Sequence, residues 1–139
     1  MNTAQADQIS EIAEAVGKVC EKYDAAYWRT TDATGDFPEA FTQDLAAGGW
    51  LGISFPEQYG GSGLGLTECA TMMQTIAASG AGFSGASAVH INLFGPKPIE
   101  KFGTDEQRQV FLPPVIAGTD KMCFAVTEPD AGLDTSSIT

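Results

Sequence analysis

One stretch near the end of the sequence, residues 121–134, joins an alternating segment to a polar turn. Residues 122–127 alternate large apolar side chains with smaller ones, which predicts a β-strand with one set on each face. Glu128-Pro129 ends this strand because proline has no N–H for a sheet ladder. The following turn, Asp130-Ala131-Gly132, has a glycine that can adopt positive φ. Such a junction exposes N–H groups and a hydroxyl where a ring edge or a phosphate can bind; the alternative is an ordinary surface strand and turn.

Other candidates for chemistry are few. His90 is the only histidine, and no nucleophile or metal partner accompanies it, so we predict no catalytic residue and no metal site. The glycine-rich loop 56–65 lacks the lysine of a Walker loop, because Leu66 follows it, and its glycines miss the dinucleotide spacing. We therefore interpret this loop as a tight connection between two helices, with direct phosphate binding as the alternative.

Three motifs carry a family resemblance. Residues 124–134, Phe-Ala-Val-Thr-Glu-Pro-Asp-Ala-Gly-Leu-Asp, resemble the flavin-binding signature of the acyl-CoA dehydrogenase family, aromatic-x-Val/Leu-Thr/Ser-Glu-Pro-x-Ala-Gly-Ser-Asp. Residues 55–65 and residues 99–113, with Gly118 shortly after, resemble two further stretches of that family in the same order. Three motifs in register are more specific than one. The resemblance covers nearly the whole chain, but only the front of a family member.

The resemblance implies a mainly α fold. The chain is expected to form the N-terminal helical bundle of an acyl-CoA dehydrogenase-like fold, ending in the first strand of a β domain. Residues 1–120 would then be the helical domain, and residues 121–139 the truncated start of the middle β domain. A strand without sheet partners leaves an exposed pairing edge.

The resemblance also implies a reaction. Family members carry out the α,β-dehydrogenation of an acyl-CoA thioester with FAD as cofactor and an electron-transferring flavoprotein as electron acceptor. The family's glutamate base lies in the C-terminal helical domain, so this chain is expected to be inactive alone and homo-oligomeric only at full length. One alternative is a same-fold acyl-CoA oxidase or flavin monooxygenase. The other is a non-catalytic acidic helical module that binds a protein partner.

Site residues follow from the same resemblance. Matching the signature position by position predicts five cofactor-binding residues: Phe124, Val126, Thr127, Gly132 and Leu133. Leu133 stands where the family usually has a serine that helps bind cofactor phosphate or ligand. Leucine has no hydroxyl, so this contact is lost or comes from backbone N–H groups.

Four substrate-binding residues are predicted in the same way: Ser87, Ile91, Phe94 and Leu133. The first three share one stripe of a helix rich in small residues, which resembles the helix that lines the family's acyl channel. The bulk of Phe94 is expected to shorten that channel. Close helix–helix packing is the alternative explanation for the small residues.

The composition restricts the partners. A net charge of −11, from 18 acids and 7 bases, argues against nucleic acid and against an anionic membrane surface. Three scattered cysteines, no recognisable targeting segment and no apolar run of membrane-spanning length favour a single cytoplasmic domain.

Apolar periodicity predicts a series of helices before the strand. They are helix 7–28 followed by a loop at 29–36, helix 36–49 stopped by Gly48-Gly49, a helix from an N-cap at Thr67 to about Ser79, helix 83–94, a helical turn at 99–102, and a helix capped by Thr104 and Gln107 that ends before Pro113-Pro114.

Overall fold

Helices dominate the computed structural model, which describes residues 3–139. In this part of the chain the helices are α1 (Thr3–Cys20), α2 (Ala25–Thr34), α3 (Glu39–Ala47), α4 (Leu66–Ile76), α5 (Gly82–Phe94), α6 (Lys97–Phe102) and α7 (Asp105–Ile116). A π-helical turn, Ala77–Ala81, joins α4 to α5, and short 3-10 turns lie at Trp50–Gly52, Glu57–Tyr59 and Thr135–Ser137. The predicted mainly α fold class is confirmed.

The first predicted helix is in fact two. The Asp24 carboxylate accepts hydrogen bonds from the N–H groups of Ala26 and Tyr27, both at 2.9 Å, and so starts α2 as its N-cap. α2 then continues to Gly35, whose φ of 71° ends it. The prediction of one helix over 7–28 and of a loop over 29–36 was therefore wrong.

The middle helices lie close to their predicted positions. α3 stops at Gly48-Gly49 as expected, and Gly49 adopts the left-handed conformation with a φ of 78°. α4 begins two residues earlier than an N-cap at Thr67 would allow, because the N-cap is Gly65, whose N–H donates to the Glu68 carboxylate at 3.0 Å. Gly80, with a φ of 98°, makes the predicted interruption before α5.

Two clusters of buried side chains hold these elements together. The larger cluster joins α1, α2, α3, α4 and α5, and its fully buried members include Val16, Phe41, Leu45, Met72 and Val89. The smaller cluster packs Phe55 and Tyr59, just before and within the 3-10 turn Glu57–Tyr59, against Leu112 and Ile116 of α7. α5 thus lies with one side in the core and another side free to meet the last part of the chain.

α7 runs past its predicted end. Its N-terminus has the predicted capping box, in which Gln107 and Thr104 bond reciprocally at 2.8 and 3.3 Å. The helix nevertheless includes Pro113 and Pro114 and ends at Ile116, so the predicted end before the prolines was wrong. Burial of Leu112 and Ile116 in the second cluster outweighs the local preference against helix before proline.

Residues 121–127 do not form the predicted strand. No β-strand occurs among residues 3–139, where the one ladder contact outside the helices is an isolated antiparallel bridge between Glu128 and Ala131. A strand requires a neighbouring strand for its N–H and C=O groups, and no described segment pairs with residues 121–127 in this way. The division of the chain at residue 120 stays a prediction.

Candidate functional site

The signature segment is attached to α5 through Asn92. This side chain is buried, and its Oδ1 accepts the N–H of Met122 at 2.9 Å. Its Nδ2 donates to the carbonyl of Asp120 at 3.5 Å. Both bonds reach the chain just before the alternating segment and hold its start against the helix.

Further contacts anchor Gly118 and Lys121, which precede the alternating segment. The Gln43 Nε2 donates to the carbonyl of Gly118 at 2.9 Å. Lys121 forms an ion pair with Glu39, and its Nζ lies 4.6 Å from the centre of the Phe37 ring. Helix α3 and the loop before it thus hold this part of the chain from one side, while α5 holds it from the other.

Phe124 reaches the predicted substrate helix. Its ring meets the ring of Phe94 edge-on, with 5.1 Å between the centroids, and Phe94 in turn contacts His90 at 4.6 Å. Behind these rings α4 and α5 enclose a small apolar pocket of about 230 Å³. Its lining includes Cys69 and Lys97, and burial raises the pKa of the Cys69 thiol. Lys97 offers this pocket little free charge, because Glu100 pairs with its Nζ at 2.6 Å.

A second groove lies along the neighbouring stripe of α5. Ser87 and Ile91 line it together with Phe83 of the same helix and Phe37 of the loop before α3. The groove has a volume of about 470 Å³. The lining also contains Asp32 and Asp36 and includes no lysine or arginine. The groove therefore combines aromatic walls with a negative rim, which disfavours an anionic group.

The remaining signature residues are exposed. Phe124 and Val126 are 55% and 36% exposed, and the side chain of Leu133 is fully exposed. Gly132 is outside the set of glycines with positive φ, so the turn does not use the conformational freedom predicted for it. The Asp134 carboxylate accepts hydrogen bonds from Ser136 and Ser137, which lower its pKa from the usual value.

The glycine-rich loop is folded onto its own backbone. Each N–H from Gly60 to Gly65 donates within the chain, at 2.8 to 3.2 Å, to a carbonyl of residues 52–57 or to the Glu68 carboxylate. A Cβ placed on Gly61 would lie 2.1 Å from the carbonyl oxygen of Phe55. The N–H groups of residues 60–65 are therefore all used within the chain and do not face a phosphate, in agreement with the interpretation of this loop as a structural connection.

The family follows from a comparison with known domains. Residues 6–119 match the family model described as acyl-CoA dehydrogenase, N-terminal domain. The chain belongs to the acyl-CoA dehydrogenase family. The family resemblance is thus confirmed over residues 6–119, which contain two of the three motifs.

Individual relatives of the acyl-CoA dehydrogenase family agree. The chain is 35% identical over 136 residues to the probable acyl-CoA dehydrogenase YngJ of Bacillus subtilis, covering 96% of this chain and 35% of the relative. It is 34% identical over 106 residues to the caffeyl-CoA reductase-Etf complex subunit CarC of Acetobacterium woodii, covering 74% of this chain and 27% of the relative. The chain thus spans about a third of the length of these relatives.

A solved structure has the same fold. It is described as the electron transferring flavoprotein of Acidaminococcus fermentans, in work on flavin-based electron bifurcation. One of its chains superposes with a TM-score of 0.83 at 28% identity, covering 99% of this chain and 36% of that chain.

The structure brings together part of the predicted site. Phe124 and Phe94 are in contact, whereas Ser87 and Ile91, on the same helix α5 as Phe94, line a separate groove. Sequence reasoning missed Asn92, although a polar residue between the core positions Val89 and Leu93 was a usable signal.

Residues 3–139 contain neither a membrane-spanning helix nor a metal-binding cluster. None of their helices combines the length and apolar character required to cross a bilayer. No group of three or more histidine, cysteine, aspartate or glutamate side chains in this range is arranged to hold a metal ion.

Proposed function

We propose that this chain contributes to an FAD-dependent oxidoreductase that dehydrogenates an acyl-CoA thioester between its α and β carbons. Family membership supports the oxidoreductase class, and the relatives' names supply the acyl-CoA substrate. The observation that carries the proposal is the edge-on contact of Phe124 with Phe94 at 5.1 Å. It joins the cofactor signature to the helix predicted to line the acyl channel.

The signature segment suits the ring of FAD in its chemistry. Phe124 and Val126 offer exposed apolar surface, and Thr127 offers a hydroxyl. The N–H groups of residues 123–127 have no acceptor among residues 3–139, so they are free for a polar ring edge. Bound FAD would supply the acceptor for the hydride that leaves the β carbon.

The same segment does not suit the diphosphate of FAD. Its turn carries the carboxylates of Glu128, Asp130 and Asp134, which repel a phosphate. Leu133 lacks the hydroxyl expected at that position. Gly132 is proposed as a turn residue next to the flavin ring. The FAD diphosphate requires hydrogen-bond donors from elsewhere in the enzyme.

The acyl group is proposed to lie along α5. Ser87 and Ile91 would contact it in the groove of about 470 Å³, and Phe94 would limit its length beside the signature segment. Asp32 and Asp36 border this groove, its lining contains no lysine or arginine, and the nearby Lys121 is paired with Glu39. We therefore expect an uncharged acyl group and not one that ends in a carboxylate.

The proposal extends to the electron acceptor, the cellular location and the oligomeric state. An electron-transferring flavoprotein is proposed as the electron acceptor, since one relative is named as a subunit of a reductase-Etf complex and the similar solved structure is an electron transferring flavoprotein. The scattered free cysteines support a cytoplasmic location. Homo-oligomerisation of the full-length enzyme rests on the resemblance alone.

Flavin titration tests the cofactor proposal. Quenching of flavin fluorescence by the purified chain would be measured with FAD and with riboflavin, which lacks the diphosphate. We expect both to bind with similar affinity, because only the ring has contacts here. Phe124→Ala should weaken both by about tenfold, corresponding to roughly 1.4 kcal/mol of lost ring contact.

A matched variant controls for general surface effects. Phe102→Ala removes an aromatic ring that is 78% exposed on α6 and outside the signature, and it should leave both affinities unchanged. Absence of binding by the unaltered chain, or equal losses in the two variants, would contradict the proposal.

A further inference from the structure

Asn92 is a polar side chain at a core position. It is 6% exposed on α5, next to Leu93 and one turn after Val89, both of which are buried. An amide buried without partners costs about 1–3 kcal/mol. Its two polar groups must therefore be satisfied, and both are satisfied by one short piece of backbone.

The pattern of donors and acceptors in this contact is that of a parallel sheet ladder. In a parallel ladder one residue donates its N–H to the carbonyl before a residue of the neighbouring strand, and its own carbonyl accepts the N–H after that residue. The Asn92 amide does the same around Lys121, donating to the Asp120 carbonyl at 3.5 Å and accepting the Met122 N–H at 2.9 Å. The side chain thus replaces a neighbouring strand at one register position.

This contact decides which face of the segment meets α5. Met122 lies against Gly95, where an added Cβ would be 3.3 Å from the Met122 Cβ, and Phe124 meets Phe94. Cys123, between them, is exposed. Because side chains alternate, a shift by one residue would turn Phe124 away and bring Cys123 towards the helix.

We propose that Asn92 is a positioning residue: its amide fixes the register of the flavin-signature segment on α5 and so presents Phe124 to the ligand. Asn92 acts through the backbone of residues 120–122 and does not itself contact the ligand. The proposal rests on the proposed function for its consequence, whereas the register itself is measurable without any ligand.

Amide hydrogen exchange tests the register in the unaltered chain. The Met122 N–H should exchange at least about tenfold more slowly than those of Phe124 and Val126, which have no acceptor among residues 3–139. Equal exchange at the three positions would overturn the proposal without any variant.

Substitution then assigns the effect to the amide. Asn92→Ala should abolish the protection of the Met122 N–H, while Asn92→Asp, which keeps an acceptor oxygen, should retain part of it. Gln43→Ala removes a comparable side-chain-to-backbone bond at Gly118 and should leave Met122 protected. Amides of the core residues Val16 and Leu45 report whether each variant is folded.

Riboflavin affinity separates positioning from a structural role. Asn92→Ala should weaken riboflavin binding by about tenfold, the effect of losing the ring contact, while protection of the core amides is unchanged. Unchanged affinity with a deprotected Met122 would overturn the positioning role. If the unaltered chain binds no riboflavin, the proposed function fails, and the exchange data alone decide whether Asn92 fixes the register.

Discussion

Tyr23 joins the end of α1 to α3 by its ring and by its hydroxyl. The hydroxyl donates to Asp44 Oδ2 at 2.8 Å, and the ring meets Phe41 edge-on at 5.3 Å. Burial, followed by the bond to the Asp44 carboxylate, raises the pKa of Tyr23. Lys22 and then Tyr23, as hydrogen-bond donors, hold the pKa of Asp44 below its usual value.

These shifts predict a pH dependence. A raised tyrosine pKa stabilises the fold fully below the unfolded value of about 10, and this contribution is lost as pH rises towards the folded value. The free energy of unfolding of the unaltered chain should therefore fall more steeply above pH 10 than that of Tyr23→Phe. Urea unfolding from pH 8 to pH 11 measures both slopes.

The comparison of the two slopes isolates Tyr23. Cys20 and Cys69, whose thiol pKa values are raised by burial, contribute equally in both proteins and cancel. Parallel slopes above pH 10 would show that Tyr23 ionises as it does in the unfolded chain. The Asp44 contribution has the opposite sign: it is present above about pH 4 and is lost in acid.

Residues of the site were predictable to different degrees. Phe124 and Phe94 carry motif information, and the structure places their rings in contact. Asn92 carries none, because its partners lie 28 and 30 positions away and depend on how the chain returns to α5. The missing strand has a similar cause, since residues 122–127 alternate correctly but lack a neighbour.

Elements were predicted well where local signals agreed with packing. The capping box of α7 and the glycine stop of α3 depend on neighbouring residues only, and both are present. The failures came from competition: Asp24 caps a new helix within a continuous apolar pattern, and burial of Leu112 carries α7 through two prolines.

Two Gly→Ala substitutions should have opposite effects on stability. In Gly61→Ala the new Cβ would lie 2.1 Å from the Phe55 carbonyl oxygen, so the backbone must shift and stability should fall by about 1–3 kcal/mol. In Gly17→Ala nothing lies within 4 Å, and α1 should gain up to about 1 kcal/mol. Urea denaturation followed by tryptophan fluorescence gives both values.

Gly61→Ala tests close packing at position 61 and not backbone freedom. Gly61 is outside the set of glycines with positive φ, so its requirement for glycine comes from close packing alone. If Gly61→Ala were as stable as the unaltered chain, the loop would be free to move off the 3-10 turn, and its N–H groups would become available for a ligand.

Charge is distributed unevenly over the whole molecule. Within residues 3–139, five of the seven bases form ion pairs: Lys18, Lys22, Lys97, Arg108 and Lys121. Most of the 18 acids therefore have no basic partner in the described part of the chain. Exposed ion pairs contribute about 0–1 kcal/mol each, so repulsion among the acids should dominate the electrostatic free energy near pH 7.

Salt should consequently stabilise the folded chain. Raising NaCl from low to moderate concentration at pH 7.5 screens the repulsion and should raise Tm by roughly 3 °C, the shift that corresponds to somewhat less than 1 kcal/mol in a domain of this size. Near the isoelectric point of about 4.2 the repulsion disappears, and the same change should have little effect. Thermal unfolding followed by circular dichroism at both pH values measures this difference. A Tm that falls with salt at pH 7.5 would instead show that the five ion pairs outweigh the net charge.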